Sequence, residues 1–160
     1  MLIAKFDALS VVDTLVAIMT AYLLALPLGW ERKTKGAAHI GWRTLPLVSV
    51  GTCAYLLISR NLYEHGIFDA DGPARTLRSM MTGIGFIGGG AILKGKKAVS
   101  GVTTATSVWT TGAIGASVAY GYYTVAVVLT LTNLFVVDVT RRLARHTGAP
   151  CDGAGRGRTP

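Results

Sequence analysis

The sequence predicts an all-α membrane protein of five transmembrane helices, and three observations carry that prediction. The 160 residues are 51% hydrophobic and only 15% charged, with a mean hydropathy of +0.46, whereas soluble domains ordinarily carry about 25% charged residues. No charge occurs in the 40 residues from Ala98 to Val137, about twice the length that one crossing needs. The other apolar runs, bounded by clusters of Lys and Arg, each suit a single crossing.

Span one is expected over about residues 9–30. Thr14 to Trp30 is uncharged, and Leu9 to Val12 extend it to bilayer thickness. Asp13 enters near its first turns, and Pro27 falls near its end, where neighbouring helices can satisfy the freed carbonyl. Lys5, Asp7 and Asp13 interrupt any signal-peptide pattern, so the segment is expected to be retained as a span. A basic connection, Glu31 to Arg43, leads to span two over about 44–59, with Pro46 in its first turn, where a missing N–H costs least. Arg60 to Arg78 reads as a mixed-charge loop holding Glu64, Asp69, Asp71 and Arg75.

Span three, about 76–93, contains the stretch that organises this reading, Ser79–Leu93, uncharged and carrying Gly83, Gly85, Gly88, Gly89 and Gly90. Gly85 and Gly89 form a GxxxG pair, which bares helix backbone to close approach by a second apolar helix. Its 15 uncharged residues are short for a crossing, so the helix either borrows the turn from Arg75 to Arg78, whose long side chains reach the interface and which is the favoured reading, or is broken at the glycines. The run Gly83 to Gly88 also matches the GxGxxG dinucleotide fingerprint. That chemistry needs an acid about 20 residues further on, and no carboxylate lies between Asp71 and Asp138.

Lys94, Lys96 and Lys97 make a basic turn. The long uncharged run then requires two spans, about 102–119 and 123–139, broken at Tyr120-Gly121-Tyr122-Tyr123. Glycine allows a turn there, and tyrosines suit the headgroup level. Gly112, Ala113, Gly115, Ala116 and Ser117 make span four the expected partner of the glycine face. Residues 1–146 are thus read as one transmembrane domain and the Gly/Pro-rich residues 147–160 as a disordered tail. Of the sixteen Lys and Arg residues, twelve fall on the side that receives the first connection, the Lys94–Lys97 turn and the C-terminus. The positive-inside rule puts that side in the cytoplasm, with the N-terminus outside.

The charged connections and the glycine stretch together resemble the MgtC/SapB family of bacterial inner-membrane proteins. The resemblance rests on Gly29-Trp30-Glu31-Arg32, Gly41-Trp42-Arg43-Thr44, Pro73-Ala74-Arg75, Gly83 to Gly90, and Gly101 to Trp109 in that order. It implies a multi-pass protein linked in some members to magnesium homeostasis, growth at low magnesium and virulence inside phagocytes. Leu45 stands where the family commonly has His after Arg-Thr, and no soluble domain follows span five, so the chain reads as a short member.

Candidate functional charges are Glu31, Arg32 and Arg43 at the ends of spans one and two, Arg75 before span three, and Asp13 and Asp138 in the first and last turns of spans one and five. Glu31 is expected to pair with Arg43 or Arg32, read either as an interfacial clamp that sets depth or as a gate or cation-handling carboxylate, and Asp13 and Asp138 are read either as caps or anchors or as functional carboxylates. Thr103, Thr104, Thr106, Ser107, Thr110 and Thr111 form a hydroxyl ridge on span four, expected to bond to carbonyls one turn back or to a neighbouring helix. Only His39, His65 and His146 are present, dispersed in loops and tail, and this excludes common metal-ligand spacing and Cys/His or Ser/His/Asp catalysis. No disulfide is expected between Cys53, at membrane depth, and Cys151, in the tail. No enzyme, cofactor or nucleic-acid partner is therefore expected. The partners expected are the lipid bilayer, other integral membrane proteins and further copies of the chain. Two functions remain, a non-enzymatic regulator of other membrane proteins and a small Mg²⁺-related transporter or channel.

Overall fold

The computed structural model describes residues 8–33, 43–94 and 99–147. Five helices follow in order: α1 (Ala8–Lys33), α2 (Thr44–Glu64), α3 (Gly72–Gly90), α4 (Val102–Ala119) and α5 (Tyr123–Thr147). A two-residue antiparallel ladder of β1 (Leu93–Lys94) and β2 (Val99–Ser100) joins α3 to α4. Among the described residues, two helices are long and apolar enough to cross a membrane, α1 through Val11–Trp30 and α2 through Thr44–Glu64, and Tyr123–Val139 of α5 is a shorter apolar segment.

Several helices run past the charges that bounded the expected spans. Helix α2 continues to Glu64, held by an Arg60–Glu64 pair one turn apart at 2.8 Å. It ends at Gly66 (φ 69°), where the Gly66 and Ile67 N–H groups donate to the Tyr63 and Leu62 carbonyls. The mixed-charge loop expected over Arg60 to Arg78 shrinks accordingly, because α3 starts at Gly72 with Pro73 in its first turn. Helix α3 is continuous through its glycines and stops at Gly90 rather than Leu93. The break at Gly121 (φ 77°) forms the same kind of cap, with Gly121 and Tyr122 N–H donating to Val118 and Ser117. Helix α5 runs on past residue 139 with Asp138 paired to Arg142 at 2.8 Å. The Lys96–Lys97 turn, the connection 34–42, the tail from 148 and Cys151 lie outside the described residues.

Helix α4 is the centre, packing against the other four helices. Its buried residues, Ser107, Val108, Thr111, Gly112, Ile114, Gly115, Val118 and Ala119, wrap more of the helix than any one stripe. The interior mixes large apolar side chains, with Leu45, Leu56 and Ile114 fully buried, and many small ones. Small and hydroxylated residues lie inside, with Ala17, Ala21 and Ala25 of α1 four residues apart and Ser49, Thr52, Cys53 and Ser59 of α2 all buried. Many other large ones face outward, including Leu23, Leu47, Phe86, Leu131 and Phe135. Within a bilayer, hydrocarbon would solvate such outer side chains as well as a core does, and small residues would be left to bring helices close.

The interior yields an internal probe. Cys53 is fully buried and free, so in a Cys151→Ser background a maleimide is expected to leave it unlabelled until α2 separates from its neighbours. Labelling at the rate of an exposed thiol below the unfolding temperature would contradict the packing.

Candidate functional site

The expected contact of the Gly85–Gly89 face with α4 is not made. Side chains added at Gly83, Gly85, Gly89 or Gly90 would meet open space. Of the five glycines, Gly88 alone lies against α4, where an added Cβ would sit 3.3 Å from the Ala105 carbonyl. The face of α3 that packs carries Ile84 and Gly88, and Ile84 presses into the space that Gly112 leaves on α4. The reason is rotational: Gly85 and Gly89 share a stripe about a quarter turn from the one that meets α4.

The close approach lies deeper, where α1, α2 and α4 meet. A Cβ on Gly115 would land on the Ser49 carbonyl, and the Ser49 hydroxyl donates to the Ala21 carbonyl at 3.0 Å. Two further hydroxyls bridge helices, Ser59 to the Thr76 hydroxyl at 2.9 Å and Thr130, whose proton is shared between the Ala126 carbonyl one turn back at 2.9 Å and the Leu24 carbonyl at 3.3 Å. These groups were not singled out from the sequence. The signals available were the Ala17, Ala21, Ala25 repeat and single hydroxyls at three- and seven-residue spacing in α2.

The hydroxyl ridge behaves as its chemistry predicts. Ser107, Thr110 and Thr111 donate to the carbonyls of Thr103, Thr106 and Ser107 one turn back, and Thr106 donates to Thr103. Thr103 is exposed and Thr104 half-buried at the start of α4.

Among the described residues, Asp13, Arg75 and Asp138 do not converge. Arg75 grips the Asp69 carboxylate with both terminal nitrogens, at 2.5 and 3.2 Å, and so clasps the α2–α3 turn. That hydrogen bond holds the Asp69 carboxyl below its ordinary value. The small contribution is therefore present above the ordinary carboxylate range and lost as pH falls through the lowered value. Asp138 is tied to Arg142 on the same exposed helix face, and Asp13 is exposed near the start of α1. Glu31 and Arg32 belong to the last turns of α1 rather than to a connection, and Arg43 sits at the N-cap of α2. The side chains of Glu31 and Arg32, and the expected Glu31–Arg43 pair with them, lie outside the described residues.

Between α3 and α4 lies a cavity of about 320 Å³, open on one side and walled mainly by Leu77, Met81, Ile84, Trp109, Ala113 and Ala116. No group of three or more His, Cys, Asp or Glu side chains suited to a metal ion occurs among the described residues.

A model of the MgtC family matches residues 18–146. The chain is 30% identical over 137 residues to the "Putative magnesium transporter YhiD" of Escherichia coli K12, covering 82% of this chain and 62% of that protein. It is 29% identical to Protein SapB of Bacillus subtilis 168, covering 85% of this chain and 60% of that one. It is also 29% identical to Protein MgtC of Salmonella typhimurium LT2, covering 81% and 53%. The chain thus spans less than two thirds of the length of these three relatives. No solved structure matches it.

Proposed function

The chain belongs to the MgtC family, and we propose that it is a non-enzymatic, multi-pass protein of the bacterial inner membrane that regulates other membrane proteins during adaptation to low magnesium and intracellular stress. In this reading residues 1–146 form a five-span domain with the N-terminus outside and the C-terminus cytoplasmic. Other integral membrane proteins and further copies of the chain are its partners. One observation carries the choice of regulator. The buried polar side chains among the described residues are Ser49, Thr52, Ser59, Ser107, Thr111 and Thr130, all hydroxyls. Each donates to a helix carbonyl or, for Ser59, to the Thr76 hydroxyl. Mg²⁺ gives up its water reluctantly and is ordinarily held through carboxylates, and an interior of hydroxyls, of which the buried Thr44 Oγ1 alone lacks a partner among the described residues, offers it little. The apolar outer faces, in contrast, suit meetings within the bilayer.

A transport reading draws on the magnesium-related name of the Escherichia coli relative. Purified chain in liposomes loaded with a Mg²⁺-sensitive dye separates the two. The regulator reading expects no influx above protein-free vesicles, and saturable influx would replace it with transport. The topology has its own test. Reporters fused after Lys97 and after Arg145 are expected to be cytoplasmic and one inserted at Gly66 extracytoplasmic, and an extracytoplasmic signal at Lys97 would reverse the orientation.

A further inference from the structure

The cavity between α3 and α4 is used neither by the packing nor by the proposed function. Its α3 wall repeats Leu77, Met81 and Ile84, and its α4 wall repeats Trp109, Ala113 and Ala116, both at helical spacing. Its wall is mostly hydrocarbon, and three of the hydroxyls along it have already placed their protons. The Thr52 hydroxyl donates to Val48, that of Ser117 to Ala113, and that of Tyr120 to the Pro73 carbonyl. Water needs two to four polar partners to settle in such a space, so an apolar occupant is called for. One end of the cavity is marked by Tyr120 and Tyr122, at the turn that joins α4 to α5 and beside the start of α3, a composition suited to the headgroup level. Near that end Arg78 follows Leu77 on α3, exposed and on the Gly85–Gly89 stripe about a quarter turn from the cavity wall, within reach of the mouth only through its long side chain. Arg60 and Arg75 are matched by Glu64 and Asp69, whereas Arg78 has no carboxylate partner among the described residues.

An apolar slot that starts at the headgroup level beside an unmatched guanidinium complements one kind of bilayer molecule. We propose that this cavity binds a single phospholipid of the extracytoplasmic leaflet, with an acyl chain between α3 and α4 and the phosphate against Arg78. The guanidinium fork is suited to a phosphate's oxygens, and the occupant is held by shape along the chain and by charge at its head. The inference rests on the bilayer-spanning reading above.

The test uses the full chain with Trp30→Phe and Trp42→Phe, which leaves Trp109, in the cavity wall, as the reporter. After delipidation in detergent, a phospholipid brominated along its acyl chain is titrated in. Quenching is expected to saturate at one lipid per chain, and native mass spectrometry is expected to retain one phospholipid adduct. Ala116→Phe fills the slot and should abolish both signals while Cys53 stays protected. Arg78→Gln should weaken phospholipid retention about tenfold and leave a brominated diacylglycerol unaffected. Quenching that does not saturate in the wild type overturns the site, as does an adduct that survives Ala116→Phe. A change of oligomeric mass with unchanged lipid content would instead place a second copy over the cavity, and also overturns it. Should Ala116→Phe expose Cys53, the wild-type titration and Arg78→Gln decide alone. Carbonate extraction of native membranes checks the spanning reading separately, since release of the protein would defeat that reading and not the slot.

Discussion

Gly115→Leu is expected to leave the chain inserted but unable to close α4 onto α2. A side chain at this position starts on the Ser49 carbonyl, so the helices must separate. In doing so they also strain the hydrogen bond from the Ser49 hydroxyl to Ala21 that holds α1. Overpacking costs about 1–3 kcal/mol where a flexible side chain can yield. Here the obstacle is backbone in the most buried part of the bundle, and a loss of about 3 kcal/mol or more is expected. The measurement is Cys53 labelling against temperature, because Cys53 lies one turn beyond Ser49 on α2 and answers directly to this packing. Leu at both Gly85 and Gly89 supplies the contrast, since both face open space within the chain. That double variant should protect Cys53 like the wild type, and any loss it shows would reside in contacts with other molecules. If Gly115→Leu protects Cys53 while the Gly85/Gly89 variant does not, α3 rather than α4 organises the bundle.

This reverses the order of importance that the residues suggest when read in line. Five glycines in Ser79–Leu93 are conspicuous, and helical spacing correctly places Gly85 and Gly89 on one face. Spacing does not say which way that face turns. The rotation of α3 is decided by where Ile84 finds room, and the room is made by Gly112, 28 residues away in sequence. The number of helices and the Tyr120–Tyr123 break were legible because they depend on local chemistry, namely charge exclusion from hydrocarbon and a glycine free to take φ 77°. Helix ends were less so. A charge stops an apolar run but not a helix, which continues as long as pairs such as Arg60–Glu64 and Asp138–Arg142 support it. The candidate charges chosen for their depth, Asp13 and Asp138, are both exposed. The polar groups that tie helices together are the inconspicuous hydroxyls of Ser49, Ser59 and Thr130, whose partners include carbonyls that have no sequence signature.

The joint between α3 and α4 sets up the second large effect. Gly66, Gly101 and Gly121 all adopt positive φ, at 69°, 86° and 77°, where a residue with a Cβ costs about 1–2 kcal/mol by local crowding alone. Gly66 and Gly121 have open space around them, so alanine at either should cost about that much. Gly101 differs because its Cβ would land on the Ala91 carbonyl, at the C-cap of α3. Gly101 also provides the carbonyl that accepts the first α4 bond, from the Ala105 N–H at 2.9 Å. Alanine there must pay for the left-handed backbone and push the end of α3 away from the start of α4, for a total of about 2–5 kcal/mol. The displacement should also loosen Gly88 from Ala105, the next contact along the same pair of helices. Thermal unfolding of the three alanine variants, followed by Trp109 fluorescence, should therefore rank Gly101→Ala well below Gly66→Ala and Gly121→Ala, with the latter two close together. Three equal losses would mean that backbone conformation accounts for the whole effect and that the α3–α4 joint is looser than the Ala91 contact implies.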